Sequence, residues 1–512
     1  MSEKTLAQPA RAEHTGSALL PLLRRLHFYI GLFIGPFIFV AALTGALYVL
    51  TPQLENALYS HQLYTSAQGP ERTLADQVRA AEKYIGPQAV LTALRPAPAP
   101  GETTRVMFTT PAKGSATTAV FVDPHTLEIR GMLNVYGTSG VLPLRTTLDY
   151  LHQSLLLGEV GRNYSELAAS WLWVAALGGV LLWATSRAPG KIRKTRSRGQ
   201  RVLRHRYWHS TLGIALLIGL LFFSATGLTW SRWAGDNISQ MRSHFGWLTP
   251  SVNTTLPPSP DNTPARSGSH APGDQAESEN GETLHTLPMH GHHQGHPATV
   301  NSQVMDEHAE HKMSGMAMSE DPAARVTLLP EQFDAVVKTA REAGIAAGKI
   351  EVRPSTRAGK AWTVSEIDRR WPTRVDSVAV DPRNYALLDK VEFAQFGLLA
   401  KLTRWGVDAH MGVLFGLPNQ LILAAFALGL CAVIVMGYRL WWLRRPPAGQ
   451  HPAETLLHHW QRLSTGARFV LLSVVTALAL SLPVMGISLL VMLGIDLLRW
   501  RRANRSAALR NA

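Results

Sequence analysis

Residues 24–45 read RRLHFYIGLFIGPFIFVAALTG, and residues 206–227 read RYWHSTLGIALLIGLLFFSATG. At an offset of 182, Arg24, His27, Gly31, Thr44 and Gly45 fall on Arg206, His209, Gly213, Thr226 and Gly227. At an offset of 258, Val120, Val122, Asp123, Pro124, Leu144, His152, Leu156 and Gly158 fall on Val378, Val380, Asp381, Pro382, Leu402, His410, Leu414 and Gly416. Self-similarity at a fixed offset is the mark of an internally duplicated chain. Each half then reads apolar helix, polar domain, apolar helix. The offsets differ by 76 residues, so the second polar domain carries about that much extra chain. Residues 251–322, rich in Pro, Ser, Gly, His and Met, supply it, and their composition predicts a disordered insertion.

Crossing a hydrocarbon core takes about 20 helical residues. Four apolar runs meet that need, at 28–50, 167–183, 212–230 and 421–442. Of the 512 residues, 46% are hydrophobic and only 17% charged, which argues against a soluble or disordered chain. A net charge of +14 raises nucleic acid as a partner, but its placement argues for the lipid bilayer instead. Nine Lys or Arg lie between Arg187 and Arg206 with no acid, and five Arg follow Leu498, all flanking apolar runs. Basic flanks mark the cytoplasmic side, which puts 51–166 and 231–420 outside. No small-residue cleavage site follows the first run, and it reads as a retained anchor. A fifth run, 469–498, is broken near Pro483 and has Arg468 before it and Arg499 after it. It is either one tilted span or a hairpin.

The expected fold class is a membrane α-helical bundle of four core transmembrane helices, plus a C-terminal apolar hairpin or fifth helix, with two external α+β domains. A cytoplasmic N-terminus (1–25) leads to the first span (26–50), an external domain (51–151), the second span (152–185) and a basic loop (186–207). The third span (208–231), the second external domain (232–409) and the fourth span (410–443) follow, then a loop (444–466), the C-terminal apolar segment (467–498) and a basic tail (499–512). In each external domain a helix-like stretch, 74–85 or 330–343, precedes short strands. Residues 105–108 and 118–122 have a β pattern, as do 361–366 and 377–380, and both later strands end in Asp-Pro turns.

The His-x3-Gly…Thr-Gly helices, the paired Val-x-Val-Asp-Pro turns, and the segments LHQSLLLG (151–158) and AHMGVLFG (409–416) resemble the PepSY-associated transmembrane-helix proteins of bacterial inner membranes. The similarity covers most of the chain outside the insertion and the last apolar run. Some members are iron-regulated ferric-siderophore reductases carrying haem, and others have no assigned activity. The resemblance therefore implies a multi-pass inner-membrane location with two PepSY-type periplasmic domains, and makes redox work plausible.

Strongly coordinating residues at membrane-helix positions are uncommon and usually functional. A lone interfacial His more often snorkels or caps a helix, but here four recur at equivalent places: His27 with His209 at one face, His152 with His410 at the other. Parallel repeats related by an axis along the membrane normal hold equivalent residues at equal depth. Each pair is then placed to clamp one haem b iron, giving two haems. From His27 to Leu50 is 23 residues, roughly 35 Å of helix, so the two sites lie near opposite membrane faces. The single cysteine, Cys431, excludes a Cys-ligated iron–sulfur centre and covalent c-type haem. Arg24, Arg206, Arg145 and Arg404 lie near the histidines, either as propionate partners or as topological charge.

The insertion holds His285, His290, His292, His293, His296, His308 and His311, with Met289, Met305, Met313, Met316 and Met318. Imidazole suits Cu(II) and thioether suits Cu(I), so the mixture points to copper held without a fixed site; a solubilising linker is the alternative. Its ten Asp or Glu against two Lys or Arg would attract cations. Together these features point to a haem oxidoreductase drawing on the quinol pool or a cytoplasmic reductant; the resemblance implies a ferric chelate as the acceptor outside, and the insertion suggests Cu(II). A haem-free metal-binding or regulatory membrane protein is the other reading. Signatures of a nicotinamide domain, P-loop ATPase, α/β-hydrolase or zincin are missing.

Overall fold

The computed structural model describes residues 16–110, 117–136, 141–186, 197–257, 326–445 and 455–511. Four helical segments among these are individually long and apolar enough to cross a membrane: Leu19–Val49, Gly158–Ala184, Leu417–Arg444 and Pro483–Asn504. The first comprises α1 (Gly16–Tyr29), a π-helical turn (Ile30–Ile34) and α2 (Gly35–Val49). Pro36 has no N–H to give the Leu32 carbonyl four residues back. The Tyr438 hydroxyl, from another helix, donates to that carbonyl at 2.7 Å. In lipid such a freed carbonyl needs a protein partner, since water is not available.

Two short helices, α3 (Thr51–Leu58) and α4 (Ser60–Leu63), lead into a helix-and-sheet layer. It contains α5 (Leu74–Ile85) and strands β1 (Val90–Arg95), β2 (Thr104–Thr109), β3 (Thr117–Val122) and β4 (Ile129–Val135). The chain returns through α6 (Pro143–Ser154) into the second span, α7 (Gly158–Ala184). The expected third span is broken: α8 (Arg198–Ala215) and α9 (Leu217–Thr229) meet at Leu216 with a 60° bend. After α10 (Trp233–His244) the layer continues with α11 (Glu331–Glu342), β5 (Ile350–Arg353), β6 (Trp362–Glu366), β7 (Ser377–Val380) and β8 (Leu387–Val391). The path then runs through α12 (Leu398–His410) and the fourth span, α13 (Leu417–Arg444).

Two external domains are expected from the sequence, yet their strands form one antiparallel eight-stranded sheet, ordered β4-β3-β2-β1-β5-β6-β7-β8. The seam is β1 against β5, with Leu94 opposite Val352. These two residues are 258 apart, the offset read from the sequence. Joining the two inner edges removes unpaired strand edges that would otherwise face solvent. α5 and α11 cover one face, where Val78, Leu94, Phe108, Phe333 and Trp362 share a buried cluster. Asp334 of α11 accepts the Leu74 and Ala75 N–H groups at 2.8 and 3.0 Å, capping α5 across the seam. Composition also assigns 251–257 to the insertion, but these residues lie along the folded layer. Ala361 N–H donates to the Thr254 carbonyl at 2.7 Å, and Asn253 N–H to Asp389 at 2.6 Å.

The fifth apolar run is two helices, α15 (Thr465–Ser481) and α16 (Pro483–Asn511), preceded by α14 (Leu456–Trp460). They pack on each other closely enough that a Cβ on Gly486 would lie 2.8 Å from the Ala479 methyl. Pro483, starting α16, is the break that the sequence marks.

Glu351 is buried at the seam, with Arg95 at 2.6 Å and Arg353 also bonded to it. Burial opposes its ionisation, but the two guanidinium groups outweigh that and hold the carboxyl below the usual range. Its contribution is then complete above the unfolded-state value of about 4.3 and is lost as the pH falls through the lower folded-state value. Replacing Glu351→Gln should cost about 2 kcal/mol at neutral pH. The gap from wild type should close on acidification below that range, as read by unfolding of the purified protein at both pH values.

Candidate functional site

The four helix histidines form two facing pairs. His27, in the last turn of α1, and His209, on α8, have ring centroids 6.3 Å apart with planes at 80°. His152, near the end of α6, and His410, the last residue of α12, are 6.5 Å apart at 65°. The sequence has His152 and His410 precede or begin the second and fourth spans, and each closes a separate helix that leads into the span. The sheet connects to the spans through α6 and α12, so the second pair lies at the sheet end of the bundle and the first at the other.

Nδ1 of three of these rings is occupied. His209 Nδ1 lies 2.9 Å from the Val433 carbonyl, His152 Nδ1 3.1 Å from Thr44 Oγ1 and His410 Nδ1 2.6 Å from Thr226 Oγ1. His27 Nδ1 is buried and makes no bond of standard geometry, its backbone neighbour being Ala175, 258 residues before Val433. The Thr–His contact occurs at both sequence offsets, Thr44 to Thr226 and His152 to His410. Small residues admit the rings: a Cβ on Gly45 would stand 3.3 Å from His152 Cε1, one on Gly179 3.3 Å from His27 Cε1, and one on Gly437 3.4 Å from His209 Cε1. His410 is instead ringed by Phe222, Phe223 and Trp230, with centroids at 6.3, 4.9 and 5.3 Å.

Two imidazole–metal bonds of about 2 Å in line, plus two ring radii of roughly 1 Å, span about 6 Å, so each pair has the separation of two rings on one metal. No group of three or more His, Cys, Asp or Glu suited to a metal exists among the described residues. A tetrahedral zinc site asks more of the protein than two imidazoles. An iron whose equatorial positions come from a macrocycle asks for two axial ligands only, and these pairs fit that requirement. Occupied Nδ1 atoms leave Nε2 for the metal, the usual arrangement around a ligating His.

Of the arginines noted in the sequence, Arg145 donates to the Tyr48 hydroxyl at 3.0 Å, and Arg404 pairs with buried Asp408 at 3.4 Å. Arg24 and Arg206 stand close enough to Arg444 for mutual repulsion. Near the other pair, Asp368, Arg370, Trp371, Arg374 and Phe415 border a cavity of about 460 Å³ next to the turn that follows His410. The histidines and methionines between 285 and 318 lie outside the described residues.

A family model described as the PepSY-associated TM region matches residues 24–444. The chain belongs to this family. The matched region holds all four histidines and ends before α14–α16. A search of curated proteins found no match. Family membership and the apolar helices make this a membrane protein with several membrane-length helices.

The connection from α6 to α7 sets where His152 stands. A Cβ on Gly161 would fall 1.8 Å from the Ser154 carbonyl oxygen, which is backbone and cannot turn aside. Alanine is the better helix former by about 1 kcal/mol, so a bare propensity argument has Gly161→Ala stabilise. The clash should win, with a net loss of at least about 2 kcal/mol. Gly494→Ala, which meets nothing within 4 Å, should be neutral or stabilising in the same thermal-unfolding series.

Proposed function

We propose that this protein is an inner-membrane oxidoreductase that holds two b haems, one between His27 and His209 and one between His152 and His410, and delivers electrons to a periplasmic metal acceptor. The observation that carries this reading is the pair of imidazole couples, each at single-metal separation, at opposite ends of one bundle. Haem supplies a one-electron carrier at each place. Thr44, Thr226 and the Val433 carbonyl fix ring orientation through Nδ1. The Arg24, Arg206 and Arg444 cluster suits anionic propionates. The duplicated sequence supports a pseudo-two-fold axis relating the halves, because counterparts meet each other at His27/His209, His152/His410 and Leu94/Val352.

With Arg370 paired to Asp368, Arg374 leaves a net positive charge at the cavity beside His410, which favours an anionic ferric chelate over a bare cation as the species seated there, and Trp371 and Phe415 offer apolar contact. Copper is the second acceptor that the acidic His/Met segment supports, by concentrating the ion. Electrons enter from the basic side, from quinol or a soluble reductant. The competing reading, a haem-free metal-binding or regulatory protein, rests on family membership alone.

Purified protein made with haem available should show a reduced b-type spectrum and two haems per chain. His27→Ala or His209→Ala should remove one haem, and His152→Ala or His410→Ala the other. A colourless preparation, or four alanine variants that keep full haem content, would sink the proposal. Deleting 258–325, which spares the paired 251–257 segment, should keep both haems and slow Cu(II) reduction only at limiting copper. Ferric-chelate reduction serves as the control.

A further inference from the structure

We propose that a cleft between α2, α8 and α13 binds an anionic phospholipid, with its phosphate on Arg201 and Arg439. The cleft has a volume of about 570 Å³. Its wall is apolar, formed by Pro36 and Phe39 of α2 and by Val435, Trp441 and Trp442 of α13, while Arg201, His205 and Arg439 stand together in it. No acidic side chain pairs with Arg201 or Arg439 among the described residues. Both guanidinium groups, with Arg204, bear electrostatically on His205, so the cluster is one of like charges.

Charge and wall together select the occupant. Uncompensated cations at the edge of a low-dielectric layer repel one another, and an anion between them removes that cost. The adjoining apolar wall runs along α2 and α13, both within segments long and apolar enough to cross a membrane, so it suits acyl chain and is left uncovered by a small soluble anion. A neutral quinone covers the wall and leaves the arginines uncompensated. Tryptophans at such a height are the usual companions of lipid headgroups. An anionic phospholipid meets both demands, and polybasic groups attract such lipids generally.

The placement has a consequence for the histidine pair. The Val433 carbonyl and Gly437, which contact His209, alternate along α13 with Ile434, Val435 and Tyr438 of the cleft. A lipid bridging α8 and α13 there ties together the two helices that orient His209. None of the four paired histidines lines the cleft.

Binding is measured by calorimetry on the full chain in a neutral detergent, using dioctanoyl phosphatidylglycerol, dioctanoyl phosphatidylcholine, decylubiquinone and inorganic phosphate. Phosphatidylglycerol should bind at least about tenfold more tightly than each of the others, and less tightly as salt rises. Arg201→Gln with Arg439→Gln should erase that preference. Arg201→Lys with Arg439→Lys should retain most of it, which separates charge from misfolding. Equal affinity for phosphatidylcholine, for decylubiquinone or for free phosphate overturns the proposal, as does a preference that survives the glutamine variant.

Discussion

The bundle is organised around two facing pairs of imidazoles, carried on helices that lead into or adjoin the apolar spans. A polar ring in such a place is costly unless its nitrogens are engaged. Three of the four rings engage Nδ1 with a hydroxyl or a carbonyl from a different helix. Each such bond fixes which two helices must touch. Thr44 ties α2 to α6, Thr226 ties α9 to α12, and Val433 ties α8 to α13. The glycines that admit the rings follow from the same demand, because a ring wedged between helices needs a helix without a side chain opposite it. Gly179 and Gly437 do this for His27 and His209, and are themselves 258 residues apart.

Much of the fold is legible in the chain because the signals are strong where they occur. α5 and β7 have the bounds expected, and β2, β3, β6 and α11 differ from theirs by a residue or two. The strands that pattern alone does not pick out are β1, β4, β5 and β8. β1 and β5 carry Arg95, Glu351 and Arg353, charges that suggest a surface until the seam pairs them. β4 and β8 are the outer edges, where one face is solvated and apolar alternation weakens. The break at Leu216 has no proline to announce it, only Gly213 and Gly219 on either side. Gly219 has a reason: a Cβ there would fall 2.1 Å from the Phe426 ring, so α9 and α13 approach closely at that point.

The site shows the same division. The histidines stand out because they repeat, and Thr44 and Thr226 repeat with them. Their hydrogen bonds to the rings could not be read in advance, since those depend on how α6 and α12 fold back against the spans. The partners of His410 break the symmetry: aromatic rings surround it where a glycine receives His152. Two chemically unlike walls around two otherwise matched ligands are a physical basis for unequal behaviour of the rings.

The C-terminal helices lie beyond the family match, yet they are bound into its core through one carboxylate. Asp496 of α16 is 1% exposed. It accepts the Tyr29 hydroxyl at 2.5 Å and the Leu456 and Leu457 N–H groups at 3.0 and 2.9 Å. A carboxyl at that depth is strongly unfavourable without such donors. Its partners therefore cannot separate independently: the start of α14, the middle of α16 and the end of α1 move as one. Trp171 adds a second tie, donating to Ser488 at 2.8 Å. Tyr29 stands two residues beyond His27 on the same helical segment, where the π turn begins. The end of α1 next to His27 is thus anchored in part by residues outside the family region, through a hydrogen bond to an acid that the Leu456 and Leu457 N–H groups also hold.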